Sequence, residues 1–337
     1  MAYRLTLPIL ILITTLTLAA CAPQQGANPA GALSAASDDE PTKVVISIGY
    51  IPDIQFAPYY VGIEKGFFAE RGIDLVIQHR QETDGARLLG TGEIKFAVLS
   101  GEQVLLARQQ GLPLVYFFAW YQQFPVAVAA KADSGINSIE DLAGRSVGTP
   151  VKEGASYIGL EALLGAAGLT DDDIDLQTTG YAQVETLLTD RVDSVVVYVA
   201  NEPVHLEAAG EEIVLLPVSD YANLVSNGLI TNENVIKNEP ELVRAMAEAF
   251  AESLRYATDH PDEAFEMSKK FVEGLNDPAN EDIAREVLAR STELWQGERY
   301  GMSNPEAWEN MQEVLLSIGL LDSPLDLEQA YTNEFVP

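Results

Sequence analysis

Six aromatic rings lie close together in residues 115–128, VYFFAWYQQFPVAV. They are Tyr116, Phe117, Phe118, Trp120, Tyr121 and Phe124. Rings of this kind can stack on a flat heterocycle while nearby glutamines read its polar edge, and each aromatic pair contributes about 0.5–1.5 kcal/mol beyond its area burial. The same rings can also form a core. Because side chains alternate between the two faces of a strand, we expect at least half of them to be core.

Patterns typical of catalysis or metal binding are missing from the sequence. Cys21 is the only cysteine among 337 residues, which excludes an internal disulfide and a thiolate metal cluster. His79, His205 and His260 are too scattered to give metal-ligand spacing. We find no Ser-His-Asp set, no P-loop and no supported pair of catalytic carboxylates. The sequence therefore favours a binding protein over an enzyme.

The start of the chain has the pattern of an export signal. Arg4 precedes an apolar run over residues 5–20, which suits a signal peptide better than a membrane span of about 20 apolar residues. The run ends at Leu-Ala-Ala-Cys, the pattern of a bacterial lipobox. We expect residues 1–20 to be removed, Cys21 to be lipidated and residues 21–42, rich in Ala, Gly and Pro, to form a flexible tether. The protein is therefore expected at the cell membrane, anchored on the periplasmic or extracellular face.

The acidic composition restricts the partners. The formal net charge of −31 disfavours nucleic acid and anionic lipid headgroups. It also disfavours an anionic small ligand, unless arginines in the site overcome the field. We expect no nucleic-acid partner.

Strand-like and helix-like segments alternate through the first two thirds of the chain. Strands are predicted over residues 44–51, 73–80, 95–100, 113–120, 146–150, 175–180 and 194–200. Helices are predicted over residues 56–72, from the N-cap candidates Thr83 and Asp84 to Gly90, and over 101–111, 153–168 and 181–190, with a short helical start at Ser138. Four more helices follow, with Pro240, Pro261, Pro278 and Pro305 near their first residues. This alternation predicts an α/β fold with parallel strands and a helical C-terminal part.

Four stretches resemble the substrate-binding lipoproteins of ABC importers. They are IGYIPDIQFAPYYVGIEKGFFAERGIDL, LLGTGEIKFAVLSGEQVLLARQQGLPL, KADSGINSIEDLAGRSVGTP and LLTDRVDSVVVYVANEP. Together they cover most of residues 44–203, in the order of the NMT1/THI5-like branch, which holds sulfonate, nitrate, thiamine-precursor and riboflavin binders. The resemblance implies a type II periplasmic-binding-protein fold, with the ligand in a cleft between two α/β lobes.

The resemblance also implies the lobe boundaries and the partners. Lobe 1 is expected to contain residues 43–128 and 223–337, and lobe 2 residues 129–222, with crossings near residues 126–130 and 228–231. Ligands of such open sheets lie at the carboxyl ends of the strands. The expected partners are an ABC permease and its ATPase, and we expect the protein to be a monomer.

The candidate ligand-binding residues come from the positions that match the family's cleft loops. They are Asp53, Gln55, Phe56, Thr83, Asp84, Ser100, Glu102, Trp120, Tyr121, Gln122, Phe124, Glu153, Ser156, Tyr157, Tyr181, Tyr198, Asn201, Glu202, Tyr221 and Asn223. For each of them, a helix cap, a surface polar group or core packing is the alternative.

The chemistry of this set favours an uncharged ligand. It contains rings, amides, hydroxyls and carboxylates but no arginine, and Arg80 and Arg87 near two helix starts could equally face solvent. A sulfonate or nitrate would require a charged or N–H-lined cradle. Riboflavin is the first expectation, as transported ligand and not as cofactor. A thiamine pyrimidine precursor of the hydroxymethylpyrimidine type is second, and an aromatic or alkane sulfonate or nitrate is third.

One enzyme branch of the same superfamily, which makes the thiamine pyrimidine, is the alternative class. That branch depends on a cysteine-rich motif and an active-site histidine. Here Cys21 is assigned to lipid, and the first cleft loop, residues 52–56, contains no histidine. The sequence therefore predicts a protein that is not an enzyme and has no cofactor.

Overall fold

The computed structural model describes residues 40–297 and 299–337. The predicted signal peptide, the lipidation site at Cys21 and nearly all of the predicted tether lie outside these residues. Within them, no helix combines the length and apolar character needed to cross a membrane.

The described residues contain ten strands in two five-stranded sheets. The strands are β1 (Thr42–Ile48), β2 (Ile73–His79), β3 (Phe96–Leu99), β4 (Leu114–Ala119), β5 (Val126–Lys131), β6 (Ser146–Thr149), β7 (Asp175–Thr178), β8 (Ser194–Tyr198), β9 (Ile213–Pro217) and β10 (Gly228–Asn232). The first sheet has the order β2-β1-β3-β10-β4, and the second has the order β7-β6-β8-β5-β9.

Helices connect the strands and form most of the C-terminal part. They are α1 (Ala57–Lys65), α2 (Glu82–Gly90), α3 (Gly101–Gln109), α4 (Gly154–Ala166), α5 (Gln183–Leu188), α6 (Glu202–Ala208), α7 (Glu233–Asn238), α8 (Pro240–Asp259), α9 (Pro261–Ser268), α10 (Pro278–Trp295), α11 (Pro305–Ser317) and α12 (Leu327–Ala330). Short 3₁₀ turns include Ile54–Phe56 and Ile139–Leu142. The latter begins with a capping box between Ser138 and Asp141, as its sequence predicts.

The two sheets share one pattern of pairing. β1 is parallel to β2 and β3, and β6 is parallel to β7 and β8. β10 is antiparallel to both β3 and β4, and β5 is antiparallel to both β8 and β9. The chain therefore changes sheets between β4 and β5 and returns between β9 and β10, so each sheet receives one reversed strand next to a crossing.

This pairing bears on the lobe boundaries. Residue 128, the predicted end of the first part of lobe 1, falls inside β5, and β5 pairs over its whole length with strands of the second sheet. We therefore propose that the first crossing lies in residues 120–125. For the return we propose residues 218–227, which include the predicted boundary at residue 223.

Local chemistry explains where the elements begin and end. Pro240, Pro261, Pro278 and Pro305 are each the first residue of a helix, as predicted, because proline lacks the N–H that is unpaired at this position anyway. The predicted helix over residues 56–72 is wrong in its length, since Gly66 takes a left-handed φ of 81° and ends α1.

The predicted caps of α2 are also wrong. Gln81 has the extended backbone of the N-cap, so Thr83 and Asp84 lie in the first turn of the helix. Glu82 is its first residue, a position where the helix dipole favours an acidic side chain. The Gln81 side chain makes no capping hydrogen bond. Because Thr and Asp are preferred as N-caps and Gln is not, the prediction placed the start of the helix at least two residues too late.

The ring-rich segment lies at the junction of the two halves, and all six rings are buried, at most 4% exposed. The Trp120 ring lies 5.3 Å from that of Tyr59 and 5.8 Å from that of Phe250, both edge-on. Tyr59 in turn stacks on Phe250 at 4.5 Å, which ties α1 to α8. This cluster gives β4 a rigid end and fixes the backbone that leads into the crossing.

We predict that Gly228→Ala lowers the free energy of unfolding by about 1–3 kcal/mol, the usual range for overpacking. A Cβ at Gly228 would collide with the Tyr116 ring and with the carbonyl oxygen of Phe118, at the start of the crossing strand β10. Gly165→Ala is the matched control, because a Cβ there meets nothing within 4 Å and lies on helix α4. Urea unfolding should show the control equal to or up to about 1 kcal/mol above the wild type. Equal stability of both variants would contradict the predicted collision.

Candidate ligand-binding site

A cavity lies between the two sheets, at the carboxyl ends of their parallel strands. Its empty volume is about 870 Å³, including the part open to solvent. The lining residues are Ile48, Gly49, Tyr50, Gln55, Phe56, Gln81, Glu82, Thr83, Val98, Gln103, Trp120, Tyr121, Pro150, Val151, Glu153, Gly154, Ala155, Ser156, Tyr181, Gln183, Tyr198, Asn201, Glu202 and Asn227.

Aromatic rings from both halves line this cavity. This ring wall consists of Tyr50, Phe56, Trp120, Tyr121, Tyr181 and Tyr198. The Trp120 ring lies 4.8 Å from that of Tyr121 and 5.9 Å from that of Phe56. Behind the wall, Trp120 packs on core rings, so its position is fixed before any ligand arrives.

Tyr50 has an unusual backbone for a residue of the ring wall. Its φ of 65° is in the left-handed region, which costs free energy for a residue with a side chain. This conformation ends β1 at Ile48 instead of at the predicted residue 51. The Tyr50 carbonyl lies 3.2 Å from Nδ1 of His79. The Tyr50 ring meets the Tyr181 ring of the opposite half edge-on at 4.8 Å.

Direct contacts between the two halves close the cavity. The Tyr181 hydroxyl donates to Oε1 of Gln81 at 3.2 Å, and the Thr83 hydroxyl donates to Oε1 of Glu153 at 3.3 Å. Both hydrogen bonds join the start of α2 to residues of the second half. Together with the Tyr50–Tyr181 contact, they show a closed arrangement of the halves.

A hydrogen-bonded network of Glu82, Ser100, Glu102, Asn227 and Tyr198 borders the cavity, and we call it the Glu82 network. Oε2 of Glu82 accepts from the Ser100 backbone N–H at 3.2 Å and from the Ser100 hydroxyl at 2.8 Å. Oε1 accepts from the Asn227 amide at 3.1 Å. The Asn227 amide oxygen accepts from the Tyr198 hydroxyl at 3.1 Å, which extends the network to the second half.

Proton counting assigns a proton to this network. The Ser100 hydroxyl contacts both Glu82 and Glu102, but a hydroxyl has only one hydrogen to donate. The second contact therefore requires a protonated carboxyl. Burial and the nearby Glu82 raise the pKa of Glu102 to about 8, which makes Glu102 the carrier. Burial also raises the pKa of Glu82, against the opposing effect of its donors on Ser100 and Asn227.

Two other carboxyls near the cavity have raised pKa values for the same reason. Burial raises the pKa of Glu202 to about 7, and its Oε2 accepts from the Tyr198 backbone N–H at 2.9 Å. Burial raises the pKa of Asp53 to about 6. No lysine or arginine is among the described residues that line the cavity. Arg80 bonds to Gln78, and Arg87 pairs with Glu93 at 3.9 Å on the surface.

The structure brings part of the predicted set to the cavity. The predicted residues in its lining are Gln55, Phe56, Thr83, Trp120, Tyr121, Glu153, Ser156, Tyr181, Tyr198, Asn201 and Glu202. Whether they contact a ligand stays a prediction. Ser100 and Glu102 lie behind the lining, in the Glu82 network.

The remaining predicted residues are placed away from the cavity lining. Asp53 caps the turn Ile54–Phe56, Asp84 is exposed on α2, and the Gln122 amide donates to the Ala119 carbonyl. Phe124 packs in the core against the position of Gly159, and the Tyr157 hydroxyl lies 3.5 Å from Asp171. Tyr221 is 47% exposed, and the Asn223 carbonyl accepts from Asn310. These side chains are not part of the cavity lining, although Asp53 lies near it, and whether they contact a ligand stays a prediction.

Sequence reasoning missed several polar lining residues, above all Gln81, Glu82, Gln103, Gln183 and Asn227. Glu82 could have been found from the same loop, because it directly precedes the predicted Thr83. Asn227 directly precedes the predicted crossing at residue 228. Gln103 and Gln183 lie in the first turns of α3 and α5, and only the packed helices show that these turns face the cavity.

We predict that the free energy of unfolding falls as the pH rises from about 5 to about 8. The pKa of Glu102 is raised from 4.5 to about 8, so the native state holds a proton that the unfolded chain releases above about 4.5. This stability is complete at low pH and is lost as the pH approaches the folded pKa. Asp53 and Glu202 act in the same direction, whereas His79 and His205, whose pKa values are lowered by burial, act against it below about pH 6.5. Urea unfolding at several pH values measures the slope.

Glu102→Gln should reduce the slope of unfolding free energy against pH by up to about 1.4 kcal/mol per pH unit, because one linked proton is removed. The amide keeps the shape of the side chain and can still donate to Ser100. Glu273→Gln, at an exposed glutamate, controls for the loss of one charge. A Glu102→Gln profile as steep as that of the wild type would contradict a proton on Glu102.

The sequence of this chain is similar to those of two named binding proteins. The chain is 38% identical to the riboflavin-binding protein RibY of Chloroflexus aurantiacus, over 99% of this chain and 97% of that protein. It is 28% identical to the formylaminopyrimidine-binding protein of Halalkalibacterium halodurans, over 88% of this chain and 92% of that protein.

The structure is also similar to the periplasmic aliphatic sulphonate binding protein SsuA of Escherichia coli, with a TM-score of 0.69. That match covers 86% of this chain and 91% of the other at 14% identity, so it concerns the fold alone. It confirms the predicted two-lobe periplasmic-binding-protein fold. A family model described as NMT1/THI5 like matches residues 53–264, and on this evidence the chain belongs to the NMT1/THI5-like family.

Proposed function

We propose that this protein is the extracytoplasmic substrate-binding component of an ABC importer and that it captures riboflavin. The observation that carries the proposal is the cavity itself. It combines a ring wall with carboxylates, amides and hydroxyls, and no basic side chain is found in its described lining. A planar, uncharged ligand with many hydroxyls fits this combination.

The two parts of riboflavin match two parts of the cavity. The isoalloxazine ring would lie against the ring wall, where Trp120 and Phe56 offer rigid faces. The ribityl hydroxyls would donate to carboxylate and amide oxygens, such as those of Glu82 and Asn227.

The relatives support this choice of ligand. The likeness to RibY covers nearly the whole of both chains, so it includes every loop that forms the cavity. The halves of the cavity meet through Tyr181 and Gln81, and a ligand held by both halves would stabilise this closed form for the permease to recognise.

The cellular setting is part of the same proposal. A lipid on Cys21 would tether the protein at the cell membrane, with the permease and its ATPase as partners, and the protein would act as a monomer. A diacylglyceryl cysteine supplies the two acyl chains that stable anchoring requires.

A thiamine pyrimidine precursor is the second candidate ligand, favoured by the likeness to the formylaminopyrimidine-binding protein. A pyrimidine would use the ring wall but has fewer hydroxyl groups to donate to the carboxylates and amides of the lining. A sulfonate or nitrate is disfavoured by the acidic, arginine-free lining. A pyrimidine-forming enzyme is disfavoured by the lack of any cysteine other than Cys21.

We predict that titration of the purified protein with riboflavin quenches flavin fluorescence and raises the melting temperature. Stacking on Trp120 and the tyrosines would quench the flavin, and binding to the folded state alone stabilises it by mass action. At about 100 times the dissociation constant the stabilisation is about 2.7 kcal/mol. Hydroxymethylpyrimidine is the comparison ligand. A melting shift with the pyrimidine and none with riboflavin would reverse the order of the two candidates.

We predict that Tyr181→Ala weakens riboflavin binding by about tenfold, because it removes one ring of the wall and about 1.4 kcal/mol of binding. Tyr221→Ala is the matched control: Tyr181 is 43% exposed and Tyr221 47% exposed, but only Tyr181 lines the cavity. Both variants should melt within about 2 °C of the wild type, since exposed substitutions change stability little. Equal affinities of the two variants would show that Tyr181 makes no contact with the flavin.

A further inference from the structure

Four helices of at least nine residues begin at or beside the cavity: α1, α2, α3 and α4. The N-terminus of a helix carries a partial positive charge and free N–H groups, so it is a natural place for an anion. Gly154, Ala155 and Ser156 at the start of α4 line the cavity directly, as do Glu82 and Thr83 at the start of α2. The fold therefore offers several anion-binding positions around one ligand.

In this chain the positions at the starts of α2, α3 and α4 carry the protein's own acidic side chains. Glu82 is the first residue of α2, and its carboxylate accepts from the N–H and hydroxyl of Ser100, the N-cap of α3. The donors that could have bound an anionic ligand at α3 are thus already used. Glu102 occupies the first turn of α3, and Glu153 is the N-cap of α4.

The cavity lining offers no compensating positive charge among the described residues. Arg80 lies just before α2 and donates a hydrogen bond to Gln78. Arg87 lies within α2 and forms an ion pair with Glu93. A ligand phosphate would therefore meet Glu82 and Glu153 without a cation between them. Two like charges about 4 Å apart repel strongly in a partly desolvated site.

We infer that these carboxylates select the uncharged flavin against its phosphorylated form. Glu82 and Glu153 accept hydrogen bonds from free hydroxyls and repel a phosphomonoester, which carries a charge of about −1.5 to −2 at neutral pH. The site would therefore bind riboflavin and reject flavin mononucleotide, which has the same rings and the same chain with one phosphate added. This inference rests on the proposed function, because it assumes that the flavin occupies this cavity.

The test compares the dissociation constants of riboflavin and flavin mononucleotide, measured by fluorescence quenching at low salt. For the wild type we expect flavin mononucleotide to bind at least about 100-fold more weakly, since charge repulsion in a partly buried site is large. Glu82→Gln and, separately, Glu153→Gln should each lower the ratio of the flavin mononucleotide dissociation constant to the riboflavin dissociation constant by about tenfold or more. Glu153 is exposed, so its substitution tests the inference even if Glu82→Gln fails to fold.

Glu273→Gln removes one charge from an exposed position outside the cavity lining and should leave the ratio unchanged. Equal binding of both flavins by the wild type would overturn the inference and leave the proposed function intact. A large ratio that neither Glu82→Gln nor Glu153→Gln narrows would also overturn it, because other groups would then be responsible. Absence of binding by both flavins would reject the proposed function together with the inference.

Discussion

The carboxylate of Glu82 connects more parts of this molecule than any other single group described above. Its two oxygens hold the start of α3 through Ser100 and the return crossing through Asn227, and Asn227 continues to Tyr198 in the second half. A buried acid must either be protonated or be well supplied with donors, because desolvation of a bare charge is costly. The network meets this requirement with three donors and one shared proton. Glu82, Asn227 and Tyr198 of this network also line the cavity.

The ring wall has a different physical basis. Trp120 and Tyr121 belong both to the core and to the cavity lining, since they directly follow β4 at the junction of the halves. Core packing on Tyr59 and Phe250 therefore positions the rings, and no ligand is needed to order them. The segment of six rings is therefore compatible with both predictions made from its sequence, a core and a surface on which a flat ligand could stack. Buried rings that are fixed in advance lose little entropy on binding.

Much of the fold could be predicted from the sequence, because its signals are local. Proline at the first position of four helices and the β-branched run of β8 each act over a few residues. The strand β9 and the antiparallel placement of β5 and β10 were missed, since these depend on pairing partners far away in the chain. The early end of α1 at Gly66 was missed because the apolar pattern continues beyond it.

The candidate site was predictable only as a set of loops. The resemblance gave the loops after the parallel strands, but not which side chains of each loop turn inward. Phe124 and Tyr121 lie three residues apart, and one packs against Gly159 while the other lines the cavity. Asn227 has no local signature and matters only because Glu82 and Tyr198 come near it in the folded chain.

The division of the ring wall between two halves has a kinetic consequence. Tyr50 and Phe56 come from one half and Tyr181 and Tyr198 from the other, so neither half alone presents the complete wall. For a ligand held by rings of both halves, as proposed, release breaks contacts with both halves, and separation of Tyr181 from Tyr50 and Gln81 would widen the exit. The residence time of such a ligand would then depend on how often the halves separate.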